Sequence, residues 1–121
     1  VPGRKLPAGR TAALVELAEQ SGVGIEIEES RLLVRPEVAS ICELLGLDPL
    51  HVANEGKLTA LVAPEGAEAA LMAMRAHRYG SEARLVGRVV AAHPGRVVLR
   101  TSLGTSRLVN RLVGEQLPRI C

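Results

Sequence analysis

Tyr79 is the only aromatic residue in this chain of 121 residues, which contains neither tryptophan nor phenylalanine. Hydrophobic residues nevertheless make up 47% of the sequence. That is enough for one compact domain with a core of its own. The core must therefore be built from aliphatic side chains, namely those of Leu, Val, Ile and Ala.

The charge of the chain is small and evenly mixed, because 15 basic and 13 acidic residues leave a formal net charge of +2. A nucleic-acid surface requires clustered positive charge, and a single-strand binder also requires aromatic rings for stacking. No apolar run approaches the ~20 residues of a membrane-spanning helix. We therefore expect neither a nucleic acid nor a membrane as partner. Two cysteines cannot form a disulfide framework, which favours a cytoplasmic protein.

Hydrophobic periodicity predicts alternating helices and strands. Helical spacing covers residues 10–20, 36–45 and the stretch from Pro64 through Met74. Strand patterns cover residues 23–28, 58–63, 84–92, 96–101 and 106–109, with a tight connection at His93–Gly95. This order predicts an α+β fold, a layered mixed β-sheet with packed helices. We assign residues 10–113 to the domain, 1–9 to a linker or ordered edge, and 114–121 to a flexible tail.

Several chemically capable side chains receive structural roles. The acids of the first strand are expected on its solvent face: Glu26, Glu28 and Glu29. Cys42 lies on the apolar stripe of the second helix, where a core position explains it. The histidines are too far apart in sequence for metal-ligand spacing, so no metal site is predicted: His51, His77 and His93.

The polar segment Asn54–Lys57 precedes the predicted strand 58–63. Loops beside strands often carry functional side chains, so Glu55 is a candidate. Its spacing alone is equally typical of a solvated turn, and this reading is favoured at that level.

The second candidate is the terminal Cys121. Residues 114–121 can extend about 25 Å at about 3.3 Å per residue, so a thiol at the end can reach more than one active site. The α-carboxylate of Cys121 disfavours its thiolate, and Arg119 partly offsets that effect. A reactive role therefore requires further positive charge from a partner surface. A chance terminus is the alternative.

The sequence resembles the C-terminal domain of the HypE family of hydrogenase maturation proteins, which are carbamoyl dehydratases. The resemblance covers roughly residues 11–121, and the ending Pro118–Cys121 is its most specific part. The other matching segments are residues 42–50, 52–58, 74–77, 93–95 and 114–117.

The resemblance implies a fold like the C-terminal domain of aminoimidazole ribonucleotide (AIR) synthetase, PurM. It implies that the carbamoyltransferase HypF loads a carbamoyl group onto Cys121. ATP then drives dehydration of this group to a thiocyanate, and the cyano group passes to iron on the HypC–HypD complex. Glu55 would be the general base, with supporting roles for Asn54, Lys57 and Arg119.

The family carries its ATP and magnesium ligands mostly in an N-terminal domain that this chain lacks. The chain starts at Val1 rather than at a methionine, which favours a fragment. We therefore expect no cofactor on this domain alone, and no activity from it in isolation.

Two alternatives stay open at this level. One is a phosphoryl-transfer relative of the selenophosphate synthetase or thiamine-monophosphate kinase type, which is not expected to need a terminal cysteine. The other is a non-catalytic interaction domain, in which Cys121 would not be modified.

Overall fold

The computed structural model describes residues 10–52 and 57–110. Its helices are α1 (Arg10–Ser21), α2 (Pro36–Leu45) and α3 (Ala67–Ala76), and short 3-10 helices cover Glu29–Arg31 and Pro64–Gly66. Its strands are β1 (Gly24–Glu28), β2 (Gly87–Val90), β3 (Val97–Arg100) and β4 (Ser106–Val109). The predicted α+β class is confirmed.

The four strands form one mixed sheet in the order β2-β1-β3-β4. β1 pairs antiparallel with β2 and parallel with β3, and β4 closes the sheet antiparallel to β3. β2 and β3 follow each other in sequence, yet β1 lies between them. The predicted tight connection at His93–Gly95 is confirmed, since the N–H of Arg96 donates to the carbonyl of His93 and that of Gly95 to Val23.

The core lies between α1 and one face of this sheet. It consists of aliphatic side chains only, as the composition requires: Leu14, Val15, Ala18, Ile25, Ile27, Leu50, Val97, Leu99 and Val109. The buried stripe of α1 is Thr11, Leu14, Val15 and Ala18, spaced as one face of a helix. Ala13, predicted on this stripe, is exposed, because it lies one position away from the face that meets the sheet.

α2 confirms its predicted limits, with Pro36 in its first turn and Gly46 in the left-handed conformation just after it. Its predicted inward stripe is wrong in part. Cys42 is buried as predicted, but Val38, Ile41 and Leu45 are exposed, as is Leu44. An amphipathic pattern shows which side chains favour burial but cannot show what covers them. α2 therefore presents an apolar surface that the described residues leave open.

The predicted strand 58–63 is wrong, since the structure assigns no strand to residues 57–63 and leaves all of them exposed. Within the described part of the chain, the only printed backbone bond to this segment is from the Gly66 N–H to the Ala63 carbonyl. A strand requires a neighbour for its ladder of hydrogen bonds, and none of the four strands pairs here. α3 follows, with the predicted positions half-buried: Ala67, Ala70, Leu71 and Met74. None of the helices in the described ranges is long and apolar enough to cross a bilayer.

Candidate functional site

The predicted site residues fall mostly beyond the part of the chain that the structure describes. Asn54, Glu55, Arg119 and Cys121 lie outside the described residues. Lys57 is described, exposed and outside any helix or strand. The structure therefore describes the chain on both sides of residues 53–56 and up to residue 110, and the site is characterised from those flanking residues.

A tight turn at residues 48–51 leads into residues 53–56. The Asp48 carboxylate accepts a hydrogen bond from the Leu50 N–H at 3.0 Å, and the Asp48 carbonyl accepts one from the His51 N–H at 3.0 Å. Aspartate commonly forms such a turn by bonding the backbone two residues further on. Leu50 is part of the core, and its carbonyl accepts the hydroxyl of buried Thr11 on α1 at 3.3 Å. The turn is therefore anchored to the core through Leu50.

Asp48, His51, Arg107 and Asn110 form what we name the Asp48 cluster, which joins this turn to β4 and its end. Arg107 Nη2 donates to Asp48 Oδ2 at 2.8 Å. His51 Nδ1 lies 3.4 Å from the same Asp48 oxygen, and His51 Nε2 lies 3.4 Å from the carbonyl oxygen of Asn110. The His51 side chain is only 11% exposed. Two contacts thus connect segments that are 59 positions apart in sequence.

The electrostatics of the cluster keep Asp48 ionised. Partial burial acts to raise the pKa of the Asp48 carboxyl. The hydrogen bond from Leu50, the hydrogen bond and charge of Arg107, and the charge of His51 outweigh burial, so the pKa lies below its usual range. At neutral pH the carboxylate is therefore an acceptor for both Arg107 and His51.

The cluster brings together the two points where the chain leaves the described fold. Val52 is the last described residue before residues 53–56, and Asn110 is the last before residues 111–121. Glu55 is three positions after Val52, and Cys121 is eleven positions after Asn110. An extended chain covers at most ~3.6 Å per residue, which limits Glu55 to ~11 Å from Val52 and Cys121 to ~40 Å from Asn110. The two candidate reactive groups are thus borne by segments that start side by side.

A second charged group surrounds Glu26 of β1. Arg88 Nε and Nη2 donate to Glu26 Oε2 at 3.1 and 3.0 Å, and Arg100 Nη2 lies 3.7 Å from the same oxygen. His93 Nε2 lies 3.6 Å from Glu26 Oε1. The prediction of a solvent face holds for exposed Glu28 and Glu29, whereas Glu26 is half-buried.

This second group is suited to a structural role. The hydrogen bond from Arg88 lowers the pKa of Glu26, burial opposes that effect, and the charges of Arg88 and Arg100 add to the lowering. A carboxylate held ionised in this way is a poor proton acceptor near neutral pH. Across the described ranges, no group of three or more His, Cys, Asp or Glu residues is placed to hold a metal ion.

Sequence reasoning missed the Asp48 cluster. Asp48-Pro49 is a recognisable turn signal, and it could have indicated the turn. The partners Arg107 and Asn110 carry no such signal, because they meet the turn only through the packing of β4 at the edge of the sheet.

The fold and the chain match one domain class. A family model described as "AIR synthase related protein, C-terminal domain" matches residues 8–100. The chain therefore belongs to this family. The match agrees with the observed sheet of four strands flanked by helices.

Among the members of this class, the chain is similar to carbamoyl dehydratases named HypE. It is 58% identical over 113 residues to the protein of Rhizobium leguminosarum bv. viciae and 55% identical to that of Rhodobacter capsulatus. Each alignment covers 93% of this chain but only 32% and 33% of the two relatives. The chain thus spans about a third of the length of these curated relatives.

Solved structures agree with these relatives. A crystal structure of the hydrogenase maturation protein HypE matches with a TM-score of 0.86 and 44% identity, over 94% of this chain and 37% of that one. HypE in complex with ATP matches with a TM-score of 0.85 and 43% identity, over 95% and 36%. The HypE–HypF complex matches with a TM-score of 0.81 and 42% identity, over 89% and 35%. The likeness to the hydrogenase maturation protein thus holds in both sequence and fold.

Proposed function

We propose that this chain is the C-terminal part of an ATP-dependent carbamoyl dehydratase that makes the cyanide ligand of nickel–iron hydrogenases in the cytoplasm. The observation that carries the proposal is the 58% identity to a carbamoyl dehydratase HypE over 93% of this chain. The Asp48 cluster supports it, because the segments that bear Glu55 and Cys121 start from adjacent points.

The proposed reaction begins on the thiolate of Cys121. The thiolate attacks an activated carbamoyl group and becomes a thiocarbamate, S–C(=O)–NH2. The carbonyl oxygen is a poor leaving group, so ATP transfers its γ-phosphoryl group to that oxygen while the nitrogen loses one proton. Loss of the second proton expels phosphate and leaves S–C≡N. The balance is one thiocarbamate and one ATP converted to one thiocyanate, ADP and phosphate.

Glu55 is the proposed base for the protons on nitrogen. A carboxylate within hydrogen-bond distance of the reacting nitrogen can accept a proton as the C–N bond order rises. Asn54 and exposed Lys57 are proposed to orient the substrate or the base. Arg119, two positions before Cys121, would offset the α-carboxylate and favour the thiolate.

The proposed partners follow from the names of the similar structures. One of them is a complex of HypE with HypF, and we propose a HypF-type carbamoyltransferase as the donor to Cys121. Another holds ATP, and we propose that ATP and magnesium bind mostly in the part of the full-length protein that this chain does not include. A HypC–HypD-type complex would receive the cyano group.

Intact mass spectrometry tests the proposal. The full-length protein is incubated with the carbamoyltransferase, carbamoyl phosphate and ATP. We expect a mass gain of one carbamoyl group, followed by an ATP-dependent loss of one water. A protein that never gains the carbamoyl group would contradict the proposed function.

The 121-residue chain is expected to be inactive by itself. Its described residues contain no phosphate-binding glycine-rich loop at a helix N-terminus, and the ATP-bearing part is proposed to lie elsewhere. ATP turnover measured on the isolated chain should equal the buffer blank, while the full-length protein turns over ATP when carbamoylated. ATP-dependent thiocyanate formation by the isolated chain would overturn this expectation.

The open apolar surface of α2 is the proposed contact for the rest of the full-length protein. About two thirds of the relatives' length lies outside the match, and that part is covalently joined to this domain. A tethered partner binds at high effective concentration, which favours burial of exposed side chains such as those of Ile41 and Leu44.

Leu44→Glu tests this contact. Leu44 is 84% exposed, so the substitution should leave the unfolding midpoint of the 121-residue chain unchanged but lower that of the full-length protein. Leu103→Glu is the matched control, since Leu103 is 91% exposed in the turn between β3 and β4 and should change neither midpoint. Equal effects of Leu44→Glu on both proteins would contradict the proposed contact.

A further inference from the structure

We propose that His51, held by Asp48, is a positioning residue for the dehydration step. In this role it fixes the chain at the entry to residues 53–56 against the end of β4, where residues 111–121 begin. The inference rests on the proposed function, and it assigns a task to a side chain that the resemblance leaves without one.

The first argument is that both ring nitrogens of His51 are engaged. The carbonyl oxygen of Asn110 can only accept, so Nε2 must donate across the 3.4 Å contact. Nδ1 faces a carboxylate oxygen of Asp48 at 3.4 Å, and this contact is attractive when Nδ1 carries hydrogen as well. The ring is thus oriented from one side by Asp48 and contacts the end of β4 on the other.

The second argument is that His51 is not needed to anchor the turn. Leu50 is already buried in the core, and its carbonyl is bonded by Thr11. The Asp48 carboxylate closes the turn through the Leu50 N–H. His51 adds a contact at the last position but one before the chain leaves the described residues. Its effect should therefore appear in the direction of the following segment more than in the stability of the fold.

The third argument is geometric. Glu55 is four positions after His51, so a shift at His51 is transmitted over at most ~14 Å of chain. A general base must come within ~2.6–3.2 Å of the atom that holds the proton. A misplacement of about 1 Å can cost about 100-fold in rate. A fixed origin for both segments favours encounter of the proposed base with the group on Cys121.

The test compares two amide variants of the full-length protein, His51→Gln and His51→Asn. A glutamine places its amide nitrogen near the position of Nε2 and can still donate to the Asn110 carbonyl. An asparagine reaches only to the position of Nδ1 and loses that contact. The two steps are timed separately by intact mass, first the gain of the carbamoyl group and then the loss of water.

We expect His51→Asn to slow dehydration at least about tenfold and His51→Gln to stay within about threefold of the wild type, in line with the cost of misplacing a base. Carbamoylation by the partner enzyme and the unfolding midpoint should stay near wild type in both. His77→Asn is the matched control, because His77 is exposed on the α3 side of the chain, and it should change neither step.

The outcomes are separable. Dehydration at the wild-type rate in His51→Asn would overturn the inference. Equal slowing of both steps, together with a lower unfolding midpoint, would assign His51 a purely structural role and also overturn it. A wild-type protein that gains no carbamoyl group would instead refute the proposed function on which the inference rests.

Discussion

Cys121→Ala should abolish the mass gain that the full-length protein shows with the carbamoyltransferase, carbamoyl phosphate and ATP. The thiolate is the nucleophile that accepts the carbamoyl group, and alanine offers no atom in its place. Because no thiocarbamate forms, the later loss of water should disappear as well. The measurement is the intact mass at the end of the reaction, and the expected adduct is below detection.

Cys42→Ala is the control for this result. Cys42 is the other cysteine of the chain and is buried on α2. A buried thiol is shielded from a partner enzyme, so this variant should gain the carbamoyl group as the wild type does. A persistent adduct in Cys121→Ala that disappears in Cys42→Ala would move the carrier role to Cys42 and contradict the proposal.

Glu55→Gln should separate the two chemical steps. The glutamine amide keeps the size of the side chain but cannot accept the proton from nitrogen, so carbamoylation should proceed and dehydration should fall. General-base catalysis typically contributes about 10²–10⁴-fold, and we expect a loss within that range. The variant should accumulate as the carbamoyl form, heavier by one water than the cyano form of the wild type.

Glu65→Gln provides the matched control, because Glu65 lies in the short 3-10 helix before α3 and is exposed. It should dehydrate at the wild-type rate. If Glu55→Gln forms the cyano adduct as fast as the wild type, Glu55 is not the base. Slow carbamoylation in Glu55→Gln would indicate a docking role instead.

The local patterns predicted most of the secondary structure. The strict alternation at residues 23–28 indicated β1, and Pro36 and Gly46 marked the two ends of α2. These signals succeed because they report conformational preferences of the chain itself. They failed at residues 58–63, since branched side chains favour an extended chain but cannot supply a neighbouring strand.

The candidate site divides in the same way. Cys121 and Glu55 were singled out from the ending Pro118–Cys121 and the segment 54–57, and both stay predictions because they lie outside the described residues. The role of His51 could not be predicted. An isolated histidine in sequence is a common core or surface residue, and its two partners come from one neighbouring position and one 59 positions away.

The sequence by itself determined the aliphatic core, because a chain with one aromatic residue has no other side chains with which to fill a domain. It also determined the α+β order of the elements and the terminal thiol. Only the tertiary structure decided that β1 lies between β2 and β3, that most of α2 is left open, and that His51 meets Asn110. Each of these depends on which distant segments pack together, and packing is a property of the whole fold that no local spacing encodes.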